Sequence, residues 1–406
     1  MNLSEGVRMN TRSSLLLIAL AVFGAALVSN VHAAEPDEGP KVEVYGFVQT
    51  DVIYDFNVVD PNWNASLRPS KIPVNCIAPG DPANDPGCFM KNGNTIFSVR
   101  QSRLGVKSAL KTELGELNTR FEFDLYGVGA DAGQTTFRLR YAYGELGPFL
   151  IGQANSLFMD GDVYPNVIDY WGPNGMIFFR NLQVRWTPVR DNGMSIAVAL
   201  EGPGSAIDAG NVNNPEGWTS WSHYPDLTGQ FRIDKPWGHL QAAGILRWLG
   251  YQNPTIPTLA SSGHVIGGGG NLSGALNTIG NDRVMAQVAY GVGIASYMND
   301  CCVDVAPNTS LTDGRAVPLL GWLVYYDHYW NDRWSSSAGF SMTYQDTTGG
   351  QAATAFQMGR YASGNLLWYP ARNVMTGVEL LWGSHEDNDG NSNHDTRVQF
   401  SAKYSY

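Results

Sequence analysis

Beyond Val28 this chain has no apolar run long enough to cross a membrane as a helix. Positive charge is scarce: 26 Lys and Arg stand against 37 Asp and Glu, a net charge of −11. That balance excludes nucleic acid as a partner, because phosphate binding needs a basic surface. Histidine is sparse as well, and His223, His239, His264, His328, His385 and His394 are scattered. With no G-x-S-x-G elbow beside them, the constellation of a hydrolase is missing and no enzymatic activity is expected. The glycine run Gly267–Gly270 is followed by neither a helix pattern nor a Lys-Ser/Thr pair, so it reads as a glycine-rich strand rather than a phosphate cradle. The acidic stretch Asp387–Asn391 lacks the closing glutamate of a calcium loop. No cofactor and no metal site are expected.

What is abundant is glycine (46), tyrosine (19) and tryptophan (12), together with alternation. Over Thr396–Tyr406, Val398, Phe400, Ala402, Tyr404 and Tyr406 alternate with Arg397, Gln399, Ser401, Lys403 and Ser405. One face is greasy and the other charged, as in a strand with lipid on one side and water on the other. A mean hydropathy of −0.19 fits strands that are each half apolar. At the other end, Arg12, the apolar run Leu15–Val28 and the small residues Val31 and Ala33 form a secretory signal peptide with cleavage after Ala33. Residues 1–33 are thus signal, with Met1 or Met9 as start, and 34–406 form one barrel domain in the outer membrane, in contact with its lipid and lipopolysaccharide.

Alternating segments recur at 42–55, 95–111, 116–126, 136–146, 149–157, 178–188, 193–201, 226–234, 239–250, 283–298, 317–330, 333–345, 358–370, 373–383 and 396–406. Short turns such as Gly147–Pro148 alternate with long polar loops. That is the asymmetry of a transmembrane barrel. An odd count contradicts two termini on one side, and the segments at 239–250 and 283–298 would both ascend. A descending strand must lie between them, at 265–277. The fold class is therefore all-β: a transmembrane antiparallel β-barrel of sixteen strands, with about 23 residues for each strand and its connection, wide enough for an aqueous bore.

Parity assigns the faces. With Phe121 and Phe123 outward, Arg120, Glu122 and Asp124 point inward; with Phe137, Leu139, Tyr141 and Tyr143 outward, Arg138 and Arg140 point inward. Leu104, Val106 and Leu110 likewise place Arg103 and Lys107 in the lumen, and the same rule takes in Arg185, Arg232, Arg247, Arg397 and Lys403. Arg100 and Arg180 have the opposite parity and are expected above the membrane or beside a bulge. Inward carboxylates are fewer: Asp51, Asp55, Glu122, Asp124 and Glu379. Charges on strands must face water or a partner. Two readings follow: arginines that merely neutralise wall carboxylates, or an arginine ladder that passes anions down the bore.

The third outer loop, 158–178, is too apolar to stand in water and is expected to fold into the barrel as a constriction. Asp160, Asp162 and Asp169 would then oppose the arginine wall; a loop packed over the mouth is the alternative. Cys76 and Cys88 bracket a turn-rich stretch and are expected to staple it. Cys301 and Cys302 are adjacent, so a vicinal bridge or cross-links to the first pair both remain open.

Several segments resemble the DcaP-like trimeric outer-membrane porins: Gly46–Asn57 (G-F-V-Q-T-D-V-I-Y-D-F-N), Arg100–Lys107 (R-Q-S-R-L-G-V-K), Arg140–Leu146 (R-Y-A-Y-G-E-L), Gly152–Asp160 (G-Q-A-N-S-L-F-M-D), Gly172–Gly175 (G-P-N-G) and Arg180–Thr187 (R-N-L-Q-V-R-W-T). The likeness spans most of the mature chain and is densest in its first half. It implies a homotrimer that passes small anions, notably dicarboxylates, through a basic constriction, with Arg100, Arg103, Arg140, Arg180 and Arg185 at matching positions. Only Ala34–Lys41 precedes the first strand, so the periplasmic coiled coil of some relatives is expected to be absent. A non-selective diffusion porin, or an adhesive barrel without transport, are the competing readings.

Overall fold

The computed structural model describes residues 39–79, 87–127, 136–204, 219–252, 262–310 and 313–406. The expected signal peptide lies outside them. The wall begins with β1 (Lys41–Asp55), β2 in two pieces (Asn94–Ser98 and Arg103–Thr112), β3 (Gly115–Asp124), β4 (Arg138–Leu146) and β5 (Phe149–Asn155). It continues through β6 (Arg180–Asp191), β7 (Met194–Glu201), β8 (Asp226–Lys235), β9 (Gly238–Gln252) and β10 (Ser262–Asn277). It ends with β11 (Arg283–Val292), β12 (Pro318–Asn331), β13 (Trp334–Gln345), β14 (Phe356–Ala371), β15 (Val374–Asp387) and β16 (Ser392–Ser405). Neighbours in the chain pair antiparallel, and β16 pairs with β1 from Phe47↔Ser405 to Asp55↔Arg397, closing a sixteen-strand barrel. The strand inferred from parity alone is β10, with Leu272 and Leu276 outward and Asn271 and Ser273 buried inside.

Leu, Val, Ile and Phe side chains cover the outside, and Trp237, Trp330, Trp334 and Trp368 stand exposed near the short turns. Amphipathic rings at that height match the headgroup level of a bilayer. One face assignment needs correction. Between β3 and β4, Glu122 lies opposite Tyr141 while Phe123 lies opposite Leu139, so Arg140 is the extra residue of a β-bulge. Below it the pleat is inverted. Ala142 turns to lipid, and Tyr141 and Tyr143, expected outward, turn inward. Tyr141 donates its hydroxyl hydrogen to Asn155 Oδ1 at 2.9 Å, and the Arg120 guanidinium lies 3.9 Å above its ring.

Loops fill part of the interior. Segments of the first outer loop (56–73), the third (156–179) and the sixth (293–307) enter the lumen. Phe158, Met176, Ile177, Tyr297 and Met298 from the loops pack on the inward Met285, Leu323, Tyr325 and Leu381 of the wall. Each large apolar side chain buried this way contributes about 1.5–3 kcal/mol. The inserted mass therefore occupies the side of β11–β15 and leaves the bore against β1–β6.

The loops are also tied by polar contacts. Ile168 N donates to Glu379 Oε2 at 2.5 Å, and Gln101 and Gln399 donate to the Ile168 carbonyl at 2.8 and 3.0 Å. Of the inward carboxylates, Glu379 is taken up by this anchoring, Asp51 accepts from Gln49, Gln101, Gln399 and Ser401, and Asp55 pairs with Arg397; all three are buried. Cys76 is bonded to Cys88, and Cys301 to Cys302. Cys301 and Cys302 both hold positive φ, 75° and 88°, where side-chain-bearing residues are costly. Their turn fastens the three loops together: Asn299 O accepts from Trp171 Nε1 at 2.7 Å, and Asp300 accepts from Arg68 and Ser70.

Candidate permeation site

The bulge at Arg140 builds the centre of the site. Its Nε reaches Glu122 at 2.7 Å and its Nη1 reaches Asp124 at 2.8 Å. The same two carboxylates also serve Arg120 (2.7 Å), Arg103 (3.5 Å) and Arg138 (3.5 Å). Four guanidiniums thus share two carboxylates on β2–β4. Tyr170 of the third loop donates to Asp124 at 2.6 Å and accepts from Arg138, fixing the loop against this wall. On β6, Arg180 lies 5.1 Å from the Phe178 ring, and its buried Nη1 has no hydrogen-bond partner among the described residues.

These side chains border a cavity of about 750 Å³. Arg68, Arg103, Arg138, Arg140, Arg180 and Lys403 supply its cations, against Asp169 and Asp300. Nearer the short turns, Lys107 and Arg120 line a second cavity of about 330 Å³ with Lys41, Glu43 and Glu145. Lys107 Nζ lies 4.4 Å from the Tyr45 ring centre. In surroundings less polarisable than bulk water, an excess of fixed cations produces a field that concentrates anions.

The other expected residues are placed differently. Arg100 lies in the break of β2, where it donates to Gly127 O at 2.8 Å and stacks on Tyr126 at 4.4 Å. Arg185 points inward but lies along the wall, donating to Gln183 and to the Asn155 carbonyl. Arg232 is tied to Asp160, Asp162 and Asp234 at 3.3, 2.6 and 2.7 Å. Arg247 and Arg397 point inward as parity requires, yet they are 1% and 0% exposed. The inserted loops cover them: Arg247 pairs with Asp226 and Asp304, and Arg397 with Asp55 and Asp395. Neither borders the 750 Å³ cavity, so they are buried struts, not bore lining.

Asp160 and Asp162 stand away from the arginine wall, whereas Asp169 borders the same cavity as Arg103, Arg138 and Arg140. Asp160 is held by His239 (2.8 Å), Ser273 (2.7 Å) and Arg232, at the side of β8–β10. Asp162 is exposed beside it and shares Arg232. The Asp160, Asp162 and His239 ligand atoms lie within 4.8 Å of one another, but the Arg232 guanidinium already supplies the countercharge there. Asp169 is buried, accepting from Leu67 N and Gly172 N, both at 3.0 Å; burial pushes its carboxyl up to about 6. Sequence reasoning missed Arg68, Asp300, Tyr170 and Trp171. All four belong to loops, where no periodicity announces which way a side chain turns.

A closed sixteen-strand barrel with an apolar outer belt, and with loops drawn into a polar, charged bore, defines an outer-membrane channel of the porin class. The chain belongs to the DcaP outer membrane protein family, whose model matches residues 24–406. Among solved structures it is similar to the outer membrane channel DcaP of Acinetobacter baumannii, with 20% identity and a TM-score of 0.77 over 93% of this chain and 100% of that one. It is also similar to the anion-selective porin from Comamonas acidovorans (10% identity, TM-score 0.56, 91% and 100% covered). A third similar fold is that of OmpT of Vibrio cholerae (13% identity, TM-score 0.54, 92% and 99% covered). No curated protein matches the chain. Its place is the outer membrane.

Proposed function

We propose that the channel passes small organic anions of the dicarboxylate type in preference to cations, with Arg103, Arg138, Arg140 and Arg180 as the selecting groups. The single observation that carries this reading is the imbalance on the wall: four guanidiniums for two carboxylates, with Arg180 Nη1 beside them unpaired among the described residues. Arginines serving only to neutralise wall carboxylates would be matched in number. Guanidinium is also the group that meets a carboxylate bidentately. The similarity to a porin described as anion-selective supports the same direction. The assembly is read as a homotrimer, in keeping with the family resemblance and with the trimer form of the similar Vibrio cholerae OmpT (TM-score 0.50).

The experiment is a reversal potential in a planar bilayer under a KCl gradient. Wild type is expected to favour chloride. Arg103→Ala combined with Arg140→Ala leaves two guanidiniums facing two carboxylates and is expected to abolish most of that preference. A cation-selective wild type, or a preference unmoved by the double substitution, overturns the proposal.

A further inference from the structure

The strongest unassigned feature lies on a loop, across from the arginine wall. In R-P-S-K, Pro69 forces the residue before it into an extended conformation, and Arg68 sits at φ −119°, ψ 107° just ahead of the short 3₁₀ turn Pro69–Lys71. Trp63 and Trp171, from the first and third loops, meet edge to face with centroids 4.9 Å apart, and the Arg68 guanidinium lies in their corner, 4.2 Å from the first ring centre and 4.0 Å from the second. From the sixth loop, Asp300 Oδ1 accepts from its Nε at 2.9 Å. Burial disfavours charge on Asp300, but the Arg68 guanidinium and two Ser70 donors hold its carboxyl below the usual carboxylate range.

One donor is left over. Arg68 is 1% exposed and its Nη1 has no hydrogen-bond partner among the described residues. An orphaned buried donor is destabilising and marks a position where a partner is missing. Arg68 borders the 750 Å³ cavity together with Arg138, and the Arg138 guanidinium lies 5.9 Å from the same Trp171 ring. The cavity is therefore flanked by cations from two sides, the wall and the inserted loops.

We infer that Arg68 is a specificity-determining residue of the channel: its Nη1 contacts carboxylate oxygens of the permeating anion while the wall arginines hold the other end. This rests on the anion reading above. Asp300 tunes the contact, since it neutralises part of the Arg68 charge while orienting its planar fork. Arg68→Lys is not equivalent, because an ammonium lacks the planar face that a guanidinium lays on an indole and does not present paired donors.

The test is block of single-channel current by succinate in symmetric KCl. Arg68→Gln is expected to raise the apparent dissociation constant about tenfold, consistent with the loss of one charge-assisted hydrogen bond. Asp300→Asn keeps an acceptor for Ser70 but removes the competing charge, and is expected to lower the constant several-fold. Opposite signs are the signature. A merely structural interlock would be loosened by both changes and would shift block in one direction only; that result, or an Arg68→Gln value within about twofold of wild type, overturns the inference. If the Gln variant does not insert, Arg68→Lys decides: an intermediate rise supports the contact and an unchanged value refutes it. A wild type that succinate does not block counts instead against the anion reading itself.

Discussion

Asp169 shows how a charged residue predicted for a pore can serve a different end. It accepts two backbone N–H groups and the Tyr361 hydroxyl hydrogen at 3.3 Å in a fully covered site, and burial lifts its carboxyl to about 6. The unfolded value is about 3.9, so the raised folded value favours the protonated native state. The associated stability is complete below about pH 4 and is lost as pH rises through 6. Melting of detergent-solubilised protein followed by circular dichroism should therefore show a gain equivalent to about 1–3 kcal/mol between pH 7.5 and 5. Asp169→Asn should lack that gain; an equal gain in the variant would reject the assignment. Asp300, held low beside Arg68, acts oppositely, contributing stability that is lost only on stronger acidification. At this scale alternation tells direction but not depth. Parity aimed Arg247 and Arg397 inward, yet only the packing of loops 56–93 and 293–317 over them reveals that they never meet the bore.

Among elements, the strands and the third loop were readable and the other inserted loops were not. Each strand carries its own record of which side meets hydrocarbon, so sixteen could be counted and β10 deduced from direction alone. The third loop was legible because Phe158, Met159, Val163 and Ile168 have no place in water, and they are buried. The first and sixth loops also bury apolar residues such as Leu67, Ile72, Tyr297 and Met298, but these are interspersed with polar groups whose hydrogen bonds and ion pairs leave no periodic trace. The bulge at Arg140 was invisible for a related reason: one inserted residue inverts the pleat, and Tyr141 and Tyr143 look equally plausible on either face. Replacing residues 161–177 by a short glycine-serine linker should leave the barrel assembled, because the wall pairs strand to strand without it. Single-channel conductance should rise several-fold while heat resistance falls, since Met176, Ile177 and their wall partners lose their packing. Unchanged conductance would mean that this loop does not narrow the bore.

For the whole molecule, the proposed homotrimer predicts that unheated protein migrates on a detergent gel at about three times the mass of the heated chain, with strong ion-pair-disrupting salt having little effect on an interface inside the bilayer. A single species before and after heating, confirmed by light scattering as one chain, would reject it. The pairing of β1 with β16 has a separate consequence for biogenesis. Arg397 and Asp55 are joined across 342 positions of chain, so the cylinder has two raw edges until its final segment arrives. The polypeptide must therefore travel through the envelope unassembled, shielded by chaperones, and zip shut in one late event that no partial product can imitate.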